Sequence, residues 1–160
     1  MKILIVFYSR TGVTKKVAKD ISVLLKADME EIIDKKNRDG AMGYLFAGRD
    51  ATFKKLTEVN EQKYNPADYD VIVIGTPVWA FKMCPAIRTY ITKNKDYFKN
   101  VALFCTYGGT GANDTMIDLM ELCGKNYIAT LSLKTNEVLK NEYHHKLSDF
   151  AERIKNSKQL

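Results

Sequence analysis

Cysteine is scarce in this chain and badly spaced for structural chemistry: Cys84, Cys105 and Cys123 make an odd number with no CxxC pair. That arrangement supports neither a disulfide framework nor a zinc site, so the three thiols read as small buried hydrophobes and no metal is expected. Long apolar runs are missing too. The longest, such as Ile3 to Tyr8, falls far short of the roughly 20 residues that cross a bilayer, and Met1 leads into a strand pattern instead of a signal peptide. No transmembrane segment is expected, and the chain reads as soluble and cytoplasmic. Acidic residues are outnumbered 19 to 25 by lysine and arginine, a net charge of +6 that suits an acidic partner, an anionic membrane surface or an anionic ligand. The bases are interspersed, densest at Lys35 to Arg38 and alternating with Glu137, Glu142, Asp149 and Glu152 near the C-terminus. A solvated surface fits that pattern better than a nucleic-acid stripe, and no nucleic-acid partner is expected. Serine–histidine–acid and paired-carboxylate arrangements are also lacking, so no catalytic residue is assigned. His144 and His145 are given no chemistry.

Short, nearly continuous apolar segments are present in number. Residues 2–8, 69–75 and 100–107 read as strands covered on both faces, 28–34 as a weaker strand, and 127–134 as an alternating edge strand. Between them, Val17, Ile21, Leu24 and Leu25 put one apolar stripe on a helix over 14–27, Pro85 opens a helix over 85–93, and Gly124 closes one over 113–124. Val138, Leu139, Tyr143, Leu147, Phe150 and Ile154 mark a last helix over 137–156. Buried strands alternating with amphipathic helices imply right-handed crossovers and a parallel sheet. One α/β domain over residues 1–160 is expected, three-layered, with five parallel strands in the order 2-1-3-4-5 and helices on both faces. Residues 35–69 are the least legible. They hold Gly40, Gly43 and Gly48 and a helix pattern from Tyr44 to Leu56, readable as a flexible connection or as a flap near the site from Asp39 to Arg49.

In such a sheet the loops after the strands gather on one edge, and ligands bind where the strand order reverses. Three unusual loops fall there: Ser9-Arg10-Thr11-Gly12-Val13-Thr14 after the first strand, Thr76-Pro77-Val78-Trp79-Ala80-Phe81 after the third, and Thr106-Tyr107-Gly108-Gly109 after the fourth. The first runs straight into a helix, whose free N–H groups and dipole favour an anion, with Ser9, Thr11 and Thr14 as hydroxyl donors and Gly12 permitting the turn. Taken alone it is equally a polar N-cap. It fits neither the GxxxxGK[ST] nor the GxGxxG pattern.

The first loop resembles the [S/T]-x-T-G-x-T phosphate loop of the flavodoxin family, and the other two resemble the loops that enclose a flavin ring in that family. The resemblance extends over essentially the whole chain and implies a short-chain flavodoxin-like FMN protein. It implies phosphate binding by Ser9 to Thr14, ring contacts from Thr76 to Phe81 with Trp79 stacking, and closure by Thr106, Tyr107, Gly108 and Gly109. Two functions follow: an electron carrier between partner proteins, acidic ones given the +6 charge, or a small FMN-dependent NAD(P)H or quinone reductase. A receiver-type phosphoacceptor shares the topology but needs acids where this chain has Tyr8-Ser9 and Gly75-Thr76. One departure concerns the turn Trp79-Ala80-Phe81-Lys82, where many flavodoxins carry a glycine followed by an acid. Alanine disfavours positive φ, so the expectation is a turn poorly suited to stabilising the one-electron-reduced cofactor.

Overall fold

The computed structural model describes residues 1–124 and 127–157. The expected unit of 1–160 thus includes positions 125–126 and 158–160, which lie outside the described residues. Five strands form a parallel sheet: β1 (Ile3–Phe7), β2 (Asp28–Glu31), β3 (Val71–Trp79), β5 (Val101–Tyr107) and β6 (Tyr127–Lys134), in the order β2-β1-β3-β5-β6. A short strand, β4 (Lys82–Met83), pairs antiparallel with the end of β3. With that addition set aside, the order is the expected 2-1-3-4-5.

Alternate residues of each central strand serve opposite cores, because successive side chains of a strand point to opposite faces. Leu4, Val6, Ile72, Ile74, Leu103 and Cys105 face one core. Three helices cover it: α2 (Gly40–Thr52), α3 (Pro85–Asn94) and α4 (Ala112–Cys123). Ile5, Phe7, Val71, Val73, Ala102 and Phe104 face the other, beneath α1 (Val13–Leu25) and α6 (His144–Asn156), with the short α5 (Thr135–Leu139) at its margin. Every residue of β1 is buried, which is why its sequence is apolar without alternation. Each fully buried aliphatic side chain contributes about 1.5–3 kcal/mol.

Two backbone features position the sheet edge. Gly75 lies where a Cβ would stand 2.0 Å from the Phe104 ring, so the ring crosses β3 only because no side chain is there. Beyond it, β3 and β4 form a hairpin with Trp79 opposite Lys82 and only Ala80 and Phe81 in the turn. Both have positive φ, 48° and 64°, the signature of a type I′ turn. Alanine thus occupies the conformation it was expected to resist. Strain of this kind costs about 1–3 kcal/mol per residue, offset here by the hairpin pairing and by the seating of Phe81 against Gly111, where a Cβ would lie 2.8 Å from the Phe81 ring.

The last helix pattern divides in two. Asn141 takes a φ of 58° between α5 and α6, a left-handed step that asparagine tolerates and a continuous helix does not.

Candidate functional site

The loops after β1, β3 and β5 meet at one edge, as the pairing of Phe7 with Gly75 and of Pro77 with Thr106 requires. In the first loop Gly12 has a φ of 89° and stands at the N-cap of α1. The Ser9 hydroxyl oxygen accepts from the N–H groups of Gly12 (3.1 Å) and Lys15 (3.2 Å), which folds the loop back on the helix start. The Ser9 hydroxyl proton remains free to donate outward. The N–H groups of Thr11, Val13 and Thr14 have no protein acceptor among the described residues, and Thr11 and Gly12 are exposed. Free donors at a helix N-terminus, together with the dipole, make this an anion cradle.

Thr14 lies deeper. It is 2% exposed, and its hydroxyl shares a 2.8 Å hydrogen bond with that of Thr106 at the end of β5. The bond ties the first loop to the third. Thr76 is also enclosed: its hydroxyl accepts from Cys84 N–H (3.1 Å) and donates to the Pro77 carbonyl (2.9 Å), bracing the base of the β3–β4 hairpin. Pro77, Val78 and Tyr107 are half-buried at the edge, whereas Ala80, Phe81, Gly108 and Gly109 are exposed. Trp79 is buried and meets the Tyr8 ring edge-on at 5.3 Å. Burial pushes the Tyr8 phenol well above its ordinary pKa, so it stays neutral.

Arg10 leaves the first loop toward α2, its guanidinium 5.1 Å from the centre of the Tyr44 ring. Helix α2 is pinned from beneath by a buried ion cluster. Arg38 donates to Asp34 (3.0 Å) and to Asp50 (2.6 Å), Lys36 reaches Asp50 at 2.8 Å, and Thr57 donates to Asp34 at 2.6 Å. Burial alone would raise the Asp50 pKa; hydrogen bonds from Lys36, Arg38 and Arg49 overcome it and hold the carboxyl far below the usual range. Gly43 lets α2 sit against the Arg38 backbone, since a Cβ there would fall 2.4 Å from the Arg38 carbonyl carbon. The segment from Asp39 to Arg49 thus forms the N-cap and most of α2, with Tyr44 facing Arg10 of the first loop. Between α2 and Val78–Ala80 of the β3–β4 hairpin lies a cleft of about 390 Å³.

A family profile described as flavodoxin matches residues 2–152. The chain belongs to the flavodoxin family. Among solved structures it is similar to a flavoprotein from Lactobacillus acidophilus in complex with FMN, at 28% identity and a TM-score of 0.69, over 87% of this chain and 97% of that one. It shares its fold with two-electron-reduced Megasphaera elsdenii flavodoxin (20% identity, TM-score 0.60, covering 94% and 98% of the two chains). The fold also matches an NADH:FMN oxidoreductase in its apo form (11% identity, TM-score 0.62, 97% and 90%). No curated protein sequence matches.

Within this flavodoxin frame, three contacts escape a reading by motif. Tyr8 backs Trp79, Thr106 and Thr14 join two loops, and Asp50 anchors α2. For α2 the trace in the sequence is small residues among large apolar ones, of which Gly43, Ala47 and Ala51 are turned inward. The described residues hold no group of three or more His, Cys, Asp or Glu that could take a metal, and no helix among them is long and apolar enough to cross a membrane. His144 stacks on Tyr143 at 4.9 Å at the start of α6.

Proposed function

We propose that this flavodoxin is an FMN-binding electron carrier that passes electrons between partner proteins at the loop edge of its sheet. The reading rests chiefly on the first loop, whose unpaired N–H groups and exposed Thr11 and Gly12 form an anion cradle directly beside Trp79 and Tyr107. Those residues fit FMN. Ser9, Arg10, Thr11, Gly12 and Val13 would hold the phosphate, while Thr14 supports the loop from below through Thr106. Val78, Trp79, Ala80 and Phe81 would border the ring on one side and Tyr107, Gly108 and Gly109 on the other. Thr76 and Pro77 brace the hairpin that carries the first set.

Bound FMN supplies one- and two-electron redox chemistry; the protein sets orientation, access and field. Arg10 has no carboxylate partner among the described residues, so its charge is available to a dianionic phosphate. Exposed Phe81, Gly108 and Gly109 leave the edge open to a docking protein. The +6 net charge favours an acidic partner, mainly by accelerating encounter. A reductase acting on NAD(P)H or a quinone is the second reading, favoured by the cleft at α2. A cytoplasmic location and a single unit over residues 1–160 complete the proposal.

Titration of the purified protein with FMN tests the cofactor by loss of free-flavin fluorescence; failure to take up FMN would refute both readings. Steady NADH or NADPH oxidation by the isolated holoprotein with a dye acceptor would select the reductase.

A further inference from the structure

The hairpin that carries the Ala80–Phe81 turn is too short to hold itself. The pairing of β3 with β5 ends at Pro77, and beyond it only two pairs remain, Val78 with Met83 and Trp79 with Lys82. Both turn residues have positive φ. An isolated two-stranded hairpin is marginal in water, so this left-handed turn needs support from outside. The pair next to a two-residue turn is the hydrogen-bonded one, which leaves the Met83 N–H pointing away from β3. Met83 is fully buried, so that N–H must find its acceptor in the protein.

The acceptor is Asp118 of α4, at 3.3 Å. Asp118 is 3% exposed. The oxygen that accepts from Met83 also accepts from the Arg88 guanidinium of α3, and Lys54, just beyond α2, lies 3.4 Å from the other oxygen. Arg88 is buried too; its Nε has no hydrogen-bond partner, and Asp118 is the one carboxylate it meets among the described residues. Apolar side chains would fill this space with less desolvation. What they would not supply is an acceptor for the Met83 N–H. Helix α4 holds the hairpin at a second point, since Gly111 at its N-cap leaves room for the Phe81 ring. Phe81 and Met83, on either side of Lys82, are thus both seated on α4.

We propose that Asp118 is a positioning residue for the cofactor's ring: by accepting from the Met83 N–H it fixes the Ala80–Phe81 turn in its left-handed form, while Arg88 and Lys54 balance its charge. Asp118 acts through the backbone of β4 and not by contact with the flavin. The inference rests on the FMN reading for the ring's place beside the turn, and not for the anchoring itself.

Asp118→Ala would strand the Arg88 charge, so two double variants that both lack the ion pair carry the test. Arg88→Met with Asp118→Asn keeps an acceptor for the Met83 N–H; Arg88→Met with Asp118→Leu removes it at similar volume. In apoprotein, the Met83 amide should exchange with deuterium at least tenfold faster in the leucine variant than in the asparagine variant. Emission from Trp79, the protein's single tryptophan and part of the hairpin, should move to longer wavelength in the same comparison. FMN and riboflavin should both bind about tenfold more weakly to the leucine variant, because the turn borders the ring and not the phosphate. The asparagine variant should bind both within about threefold of wild type. Equal Met83 exchange in the two variants, equal flavin affinity, or a loss confined to FMN would overturn the proposal. A wild type that takes up no FMN, with Met83 exchange still differing between the variants, would refute the cofactor reading and leave the anchoring intact.

Discussion

The hydrogen bond between Thr14 and Thr106 offers a test that separates support of the phosphate loop from contact with the phosphate. The two hydroxyls lie 2.8 Å apart at 2% and 4% exposure, so each is the other's partner with little water near. Thr14→Val removes that bond and strands the Thr106 hydroxyl. A net hydrogen bond is worth about 0.5–1.5 kcal/mol and an abandoned buried hydroxyl costs about 1–3 kcal/mol; the two overlap, giving about 2 kcal/mol for either single valine. The double variant removes both hydroxyls with near-constant volume and should cost at most about 1 kcal/mol, a coupling of about 3 kcal/mol. At a urea slope of about 2 kcal/mol/M, each single change lowers the unfolding midpoint by about 1 M and the double by about half that. Additive losses, with the double down by about 2 M, would refute the pairing. The same proteins should be titrated with FMN and with riboflavin. Because the Thr14 hydroxyl is turned to Thr106, Thr14→Val should discriminate between the two flavins less than Thr11→Val does.

Thr11→Val itself should weaken FMN about tenfold with little change for riboflavin, by equilibrium fluorescence titration; equal losses would contradict the phosphate assignment. Gly75→Ala should cost about 3 kcal/mol or more in urea melts, since the new Cβ would stand 2.0 Å from the Phe104 ring and both lie in the packed core. The depressed Asp50 carboxyl contributes stability that is present above its unfolded pKa, about 3.9, and is lost as pH falls toward its folded value. Asp50→Asn should therefore flatten the acid side of the stability profile measured from pH 6 to pH 2. Cys84, Cys105 and Cys123 are buried, and burial pushes their thiols up to about 11, 11 and 12. A thiol-specific disulfide reagent at pH 8 should label none of them promptly in folded protein and all of them in urea.

The sheet was legible because β1, β3 and β5 are covered on both faces and so carry unbroken apolar runs, Ile3–Phe7 being buried throughout. Edge strand β6 betrays itself by alternation, and α1 by its stripe at Val17, Ile21 and Leu25. The first loop stood out because its glycine and hydroxyls fall where a strand runs straight into a helix, and the family resemblance, not the loop alone, separated an anion site from a polar N-cap. Other features rest on tertiary contacts that local pattern does not encode. Ala80 and Phe81 take left-handed conformations because Gly111 and the β4 pairing hold them there. The start of α2 lies earlier than the periodicity suggests, at Gly40 and not Tyr44, since its inward face is chosen for smallness and its outward face is apolar. Likewise the hydrogen bond between the Thr14 and Thr106 hydroxyls joins positions 92 apart, which neither loop motif encodes.

The charge cluster under α2 bears on how well this part of the chain tolerates substitution. Arg38 bridges Asp34 and Asp50 beneath the helix, so loss of its side chain would leave the buried Asp34 with Thr57 and no cation while Asp50 keeps Lys36 and Arg49. The cost of a change at Arg38 is therefore set by the carboxylate it strands as much as by the contacts it removes.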